Sequence, residues 1–307
     1  MSRIFVLGSL NADLVADVPR PVQPGETLSV GELRTFPGGK GGNQAVAAAR
    51  LGARTEMIGQ IGSETFGDFL LNSQQEAGVG VSGVGRSDGA SGVALISVFP
   101  DGENSILVSP GANAVVSPEM VRKRLTQLDA GDFLLCQLEV PLDALKAGLS
   151  FAREKGAITV LDPAPARAVS PETLALVDYL TPNESEAALL LGEPGLAIRS
   201  LEEAAPVAYR LQALGARNVV VKLGRLGCCG LAGDRLVKVD GLAVEAIDTT
   251  AAGDTFNAAL AVALSEGREF EDAARFANAA AALSVTRRGA QSSAPTREEV
   301  EAFVRGA

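Results

Sequence analysis

The chain has 307 residues, 47% of them hydrophobic and 21% charged, with 34 glycines, a composition that fits a globular protein and excludes a disordered or fibrous one. Its 37 acidic against 27 basic side chains give a formal charge of -10, which argues against nucleic acid and anionic membranes as partners. It has no histidine, so Ser-His-Asp and Cys-His relays and histidine-ligated zinc are excluded, and acid-base work falls to carboxylates or lysines.

At the N-terminus RIFVLG, residues 3–8, reads as a buried strand. Its apolar run is broken by Asn11 and Asp13, too early for a signal peptide or a membrane span, so a cytoplasmic protein is expected. Residues 14–36 carry Pro19, Pro21, Pro24 and Gly25 and read as a strand pair with turns. In PGGKGGNQAVAAARLGA, residues 37–53, four glycines and Lys40 precede Asn43 and a helix of small residues. Glycines let a backbone approach a ligand and a helix start supplies unpaired N–H donors, but a flexible loop before a tightly packed helix fits equally well. The residue order of a Walker loop is missing.

TEMIG, residues 55–59, is the next strand. Gly78, Gly80 and Gly83 have dinucleotide-fold spacing, yet they follow a helical segment and precede no clear helix, so chance accounts for them. Residues 91–109 form a second strand pair, ALISVF and SILVS around PDGEN. Together with 14–36 it predicts a small inserted β-sheet placed to act as a lid, leaving 1–13, 37–90 and 110–307 as the core. DFLLCQL (132–138), AITVLD (157–162) and NVVVKLG (218–224) are further strands, and PLDALKAGLSFAREKG (141–156) is helical. The alternation predicts an α/β three-layer sandwich, a parallel sheet with helices on both faces. Cys136, Cys228 and Cys229 lie in strand-like apolar runs without disulfide or zinc spacing and read as buried thiols.

TPNESEAALLLG, residues 181–192, sets Asn183 and Glu186 three apart after a strand end. A helix cap by itself explains both; the other reading is a Mg²⁺ and phosphate contact through oxygen. DTTAAGDTF, residues 248–256, poses the same choice, since Asp254 suits the positive end of a helix. A cap, however, needs neither the Ala251-Ala252-Gly253 run nor Asp248 upstream. Successive N–H groups at such a turn can face a phosphate, and Asp254 beside them is placed to take a proton from an attacking hydroxyl. Phe256, Ala259, Leu260, Ala263 and Leu264 then line one helix face, an alanine-rich helix runs from about 272 to 287, and Thr296 with Glu299 forms a capping box for the last helix.

GSLNADLV, PGGKGGNQAVAAARLG, TPNESE, KLGRLG, DTTAAGDTFNAAL and VTRRGAQSSAP occur in this order over nearly the whole chain, and together they resemble the PfkB carbohydrate kinase family, in its ribokinase branch. The resemblance implies a ribokinase-like fold and transfer of the γ-phosphoryl group of ATP to the 5-hydroxyl of D-ribose, with Mg²⁺ and an activating K⁺. It implies Asp254 as base and the backbone of Ala251, Ala252 and Gly253 as an anion hole. Sugar contacts would fall on Asn11, Asp13, Gly39, Lys40, Gly41, Gly42, Asn43 and Glu139. The nucleotide would meet Asn183, the turn of Lys222, Leu223, Gly224, Arg225, Leu226 and Gly227, then Gly253, Asp254 and Asn278. Glu186 would act on Mg²⁺ through water, and K⁺ would sit among Asp248, Thr250, Ser284, Arg287, Gly289 and Ser293, several through carbonyls. Arg287 also suits a helix C-terminus, and its side chain need do no more. A homodimer joined through the lid sheets is implied as well.

The chain departs from the family pattern at Ala251 and Gly42, where glycine and alanine are common, and at Asp162 of DPAPA, where asparagine is usual and the sequence offers no role for the change. Two rivals from the same motifs are a family kinase acting on 2-deoxyribose, a ketose or a nucleoside, and a sugar- or nucleotide-binding sensor without catalysis. A nicotinamide-dependent dehydrogenase rests only on the glycine triplet at 78–83.

Overall fold

The computed structural model describes residues 2–100 and 103–306, and Asp101 and Gly102 of the PDGEN turn lie outside them. The strands are β1 (Ile4–Leu7), β2 (Asn11–Asp17), β3 (Leu33–Gly38), β4 (Thr55–Gly62), β5 (Gly80–Ser87), β6 (Gly92–Val98), β7 (Asn104–Ser109), β8 (Phe133–Cys136), β9 (Ile158–Leu161), β10 (Tyr179–Leu180), β11 (Asn218–Lys222), β12 (Gly227–Ala232) and β13 (Arg235–Asp240). The helices are α1 (Lys40–Arg50), α2 (Gly67–Glu76), α3 (Pro118–Arg124), α4 (Leu142–Lys155), α5 (Pro171–Leu174), α6 (Glu184–Leu190), α7 (Leu201–Gln212), α8 (Ala252–Ser265), α9 (Phe270–Ser284) and α10 (Arg297–Gly306).

Nine strands form one sheet in the order β13-β12-β11-β10-β9-β8-β1-β4-β5. It is parallel from β5 to β11 and ends in the antiparallel pairs β11-β12 and β12-β13. Its central strands are apolar without alternation because helices cover both faces. Ile4 and Val6 of β1 pack with the alanines of α1, α8 and α9, whereas Phe5 and Leu7 pack with α3, α4 and α7. Cys228 and Cys229, side by side in β12, point into these two opposite layers, and Cys136 joins the second. All three thiols are buried, which pushes their pKa up and leaves them inert.

Helix α8 is buried from Asp254 to Ala263 and so lacks the polar face of a surface helix. Only a run such as Ala258-Ala259-Leu260-Ala261 lets it pass between the sheet and its neighbours α1 and α9. This central position carries its N-terminus to the edge of the sheet where the strands end.

The smaller sheet has the order β3-β2-β6-β7. Its middle pair, β2 and β6, is parallel because each leaves the core after a parallel strand, and β3 and β7 return antiparallel beside them. Strand β2 opens at Asn11, so Asn11 and Asp13 are the first residues of this sheet. Between β2 and β3, residues 18–32 form no strand. Among elements the sequence did not resolve, β5 carries Gly80 and Gly83 of the glycine triplet into the sheet edge, where no helix start follows them.

Candidate active site

In an open parallel sheet, ligands bind beyond the carboxyl ends of the strands. Here five neighbouring strands each deliver a polar residue just past or at that end: Lys222 from β11, Asn183 after β10, Asp162 after β9, Glu139 after β8, and Asn11 after β1. The N-termini of α1 and α8 converge on the same edge. Gly39 and Gly41 explain how α1 comes so close, since a Cβ on Gly41 would lie 2.6 Å from the Gly8 carbonyl carbon and one on Gly39 2.8 Å from the Asn11 nitrogen. The glycines in GGKGG thus let a helix start press against the β1–β2 connection, and the Gly42 N–H donates to the Ser9 carbonyl.

That contact assembles one end of the site from buried and half-buried side chains. Glu139 accepts the Lys40 backbone N–H at 3.0 Å and the Ser9 hydroxyl. Asn11 accepts at Oδ1 from Asn113 Nδ2 at 2.7 Å. Asn113, on the 3-10 turn Gly111–Val115, also brackets Leu10 through its N–H and carbonyl, so it fixes the entry to β2. Asp13 lies near Glu139 and Asp254, and burial with these two like charges lifts its pKa to about 7. Burial alone would lower the pKa of Lys40, but Asp254, Asp162, Glu139 and Glu186 together hold it above the usual lysine range.

Asp254 sits in the first turn of α8, 5% exposed. Asn43 Nδ2 donates to its Oδ2 at 3.0 Å and Gln44 Nε2 to its Oδ1 at 3.1 Å. Burial raises its pKa to about 6, with Asp162 adding to the rise and Lys40, Asn43 and Gln44 opposing it. The shift makes it more basic than an ordinary carboxylate and so better suited to accept a proton. Beside it, Ala251 caps α8 in a left-handed conformation, φ 59°, that an L-residue adopts at a cost of roughly 1–2 kcal/mol. At this turn the Ala252 N–H donates to the Thr249 carbonyl at 3.2 Å, while those of Gly253 and Asp254, in the first turn of α8, make no backbone bond outside the helix.

At the other end, Asn183 caps α6 in a full capping box, with its N–H and Nδ2 both donating to the Glu186 carboxylate, at 2.8 and 2.9 Å. Asn183 is also bridged to Lys222 across the strand ends. The turn after β11 is a 3-10 turn over Gly224–Leu226 closed by Gly227 at φ 98°, with Gly224 and Arg225 exposed. Asn278 of α9 donates to the Asp240 carbonyl at 3.0 Å and holds the end of β13 beside this turn.

The family model for pfkB carbohydrate kinases matches residues 1–297. The chain belongs to the PfkB carbohydrate kinase family. It is similar to the ribokinase of Haemophilus influenzae, 43% identical over 302 residues that cover 98% of each chain. Among solved structures it is similar to the ribokinase of Thermotoga maritima, with 40% identity and a TM-score of 0.89, covering 99% of this chain and 100% of that one. It is equally close in fold to an Arabidopsis thaliana ribokinase complexed with ribose and ATP, at 32% identity and a TM-score of 0.89 over 99% of each chain. No described helix is long and apolar enough to cross a membrane.

The departure from the PfkB pattern at Gly42 has a physical cause. Gly42 lacks a methyl group because Leu10, Gln291 and Gln74 fill its place, each within 3.0–3.1 Å of where a Cβ would sit. At Ala251 the left-handed cap puts a Cβ where glycine would carry none, and nothing in the structure explains that change. Residues that sequence reading missed are Gln44, Gln137, Asn113 and Ser9, all buried. Of these, Gln44 stands one residue after Asn43 at the start of a helix, and Ser9 lies within GSLNADLV.

Asp248 is clipped between the N–H groups of Thr250 and Gly289, each at 2.9 Å, and these bonds outweigh partial burial to hold its pKa below the usual range. The Ile247 and Asp248 N–H groups both donate to the Val285 carbonyl, which brings this loop against the C-terminus of α9. An anion beside carbonyls at the negative end of a helix suits a monovalent cation. The hydroxyls of Ser284 and Ser293 donate to the carbonyls of Ala281 and Ala290, and the Arg287 guanidinium pairs with Glu299. The backbone of Arg287, not its side chain, is therefore what remains for an ion. Glu186 has lone pairs beyond the two that Asn183 uses, and among the described residues no cluster of three acidic or thiol ligands forms a closed metal cage. A Mg²⁺ ion held through water on one carboxylate and on phosphates fits that set.

Proposed function

We propose that the chain transfers the γ-phosphoryl group of ATP to the 5-hydroxyl of D-ribose, giving D-ribose 5-phosphate and ADP. The observation that carries this reading is Asp254, whose carboxylate is fixed by Asn43 and Gln44 at the junction of the α8 N–H groups with the buried Asp13 and the half-buried Lys40 and Glu139. Asp13 and Asn11 would bind the vicinal hydroxyls of the sugar, with Lys40, Asn43, Glu139 and the Gly39–Gly42 backbone around them. Asp254 takes the proton of the 5-hydroxyl as its oxygen bonds to phosphorus and the bond to the ADP oxygen breaks. The N–H groups at Gly253 and Asp254, with the turn carbonyl-to-helix geometry of Ala251 and Ala252 behind them, would meet the charge that develops on the phosphoryl oxygens.

The nucleotide would lie over the Lys222–Gly227 turn, Asn183 and Asn278. Mg²⁺ near Glu186 would neutralise phosphate charge, and K⁺ at Asp248, Thr250, Ser284, Arg287, Gly289 and Ser293 would steady the turn before α8. The four-stranded sheet would serve as lid and as the contact of a homodimer, since β7 is exposed along its length and Leu95 and Leu107, paired in register, are 48% and 69% exposed. The net charge supports no nucleic-acid or membrane partner and is compatible with the cytoplasm.

The test is ADP release with ribose, 2-deoxyribose, fructose and nucleosides, each in K⁺ and then in Na⁺. Fast turnover of ribose in K⁺ is expected. Preference for deoxyribose or a nucleoside would move the substrate, and equal rates in both salts would remove the cation site.

A further inference from the structure

Asp162 and Lys222 form an ion pair at 2.9 Å with side chains only 3% and 12% exposed. A buried ion pair is weak evidence for stability, since apolar side chains of the same volume serve as well or better. This pair therefore calls for another reason, and its surroundings supply one. The atom nearest to the place a Cβ on Gly253 would occupy is Lys222 Nζ, at 3.4 Å, so the ammonium lies against the first turn of α8. The free oxygen of Asp162, Oδ2, accepts Gln44 Nε2 at 3.1 Å, and the same Nε2 reaches Asp254 Oδ1 at 3.1 Å. Gln44 is itself held from behind by Gln137 Nε2, which donates to its Oε1 at 2.7 Å.

The cations that act on this cluster of carboxylates are Lys40 and Lys222. Lys40 stands at the start of α1 beside the Glu139 group, and Lys222 stands at the end of β11, bridged to Asn183 on the nucleotide side. A phosphoryl group passing from the nucleotide turn to a hydroxyl at Asp254 must cross the space beside Gly253, where the Lys222 ammonium is fixed. Phosphoryl transfer is catalysed chiefly by positioned charge of this kind.

We propose that the Lys222 side chain is a catalytic cation that contacts the transferring phosphoryl oxygens, that Asp162 aims it, and that Gln44 sets its distance from the base by bonding to Asp162 and Asp254 together. The proposal rests on the kinase reading above. It gives Asp162, a departure from the family pattern, a function as counter-ion to a lysine.

The experiment compares wild type with Asp162→Asn, the neutral pair Asp162→Asn/Lys222→Met, and Gln44→Met. The paired variant is the decisive one, because it leaves no unpaired buried charge and should fold with a near-normal circular dichroism spectrum. Its kcat should fall about 10²–10³-fold, with KM for ribose within about threefold. Its affinity for ADP should change little, while binding of ADP with aluminium fluoride and ribose, which mimics the transferring group, should weaken by at least tenfold (about 1.4 kcal/mol). Asp162→Asn keeps the ammonium but loses its aim, and a smaller fall in kcat is expected. For Gln44→Met the acid limb of kcat should move to higher pH, because Asp254 loses an N–H that favours its anion. The charges facing Asp254 there are Lys40 from α1, Asp162 after β9 and Asp13 from β2, and all three remain in that variant. A folded paired variant with kcat within threefold of wild type, or one that changes only KM, overturns the proposal. Absence of ribose-dependent ADP release from the wild type would instead remove the kinase reading beneath it.

Discussion

The two ends of the site are built by opposite means. At the end built around Asp13, Lys40, Glu139 and Asp254 the two aspartates are buried and the other two half-buried, with Glu139 held by Ser9 and the Lys40 N–H and Asp254 held by Asn43 and Gln44. Around the Gly224–Leu226 turn the chain is exposed and offers backbone, with Asn183 and Asn278 spent on securing a helix cap and a strand end. Selectivity should therefore reside in side chains at the first end, and tolerance to substitution at the second. The buried end also carries an electrostatic burden. Two of its carboxyls have pKa values lifted to about 6 and 7, the cost of holding charge that only a ligand would relieve.

Substitutions at each end can break this contrast. Asp254→Asn should lower kcat by about 10²–10⁴-fold, with both KM values nearly unchanged, as steady-state rates would show. A variant of near-normal rate would remove the base and with it the claim that the buried end does the chemistry. Asp13→Asn should raise KM for ribose by about 10–100-fold, the loss of one charged hydrogen bond, without a matching change for ATP. A parallel rise for ATP would mean that the two ends are not separate.

The electrostatic burden gives a smaller effect in the ligand-free protein. Asp254 and Asp13 have folded values of about 6 and 7 against an ordinary 3.8, so between about pH 4 and 7 the folded state binds more protons than the unfolded chain. Stability from these two groups is then lost as pH rises through that window. Asp254→Asn should melt a few degrees above wild type at pH 8, and the gap should close towards pH 4, as thermal denaturation across pH would show. The smallest change is expected at the open end, where Arg225→Ala should alter KM for ATP by less than about fivefold, since exposed charges are worth ~0–1 kcal/mol. A larger change would show that this turn binds through its side chains after all.

Much of the buried end was legible in advance, but as motif members and not as partners. Asn43 and Asp254 stand in separate glycine-containing segments, 211 positions apart, and only packing of α1 on α8 puts them at 3.0 Å. Asn113 carried no signal, because it lies in an ordinary stretch and acts only through what β2 presents to it. Asp162 was visible as an oddity, and its meaning waited for Lys222, 60 positions on, to arrive beside it. The glycines of GGKGG were legible as close-approach residues, although what they approach is the chain itself at Gly8 to Asn11.

The sequence by itself determined the layers and the chemistry on offer. Continuous apolar runs demand burial on both faces, small residues in α8 demand an interior helix, and the lack of histidine leaves carboxylates and lysines for proton and charge transfer. Tertiary structure alone decided which groups meet, how far burial shifts Asp13 and Asp254, and that Lys222 faces Gly253 and not solvent. Local pattern follows from periodicity along the chain, whereas a hydrogen bond or a desolvated charge depends on distances between strand ends that no neighbouring residue encodes.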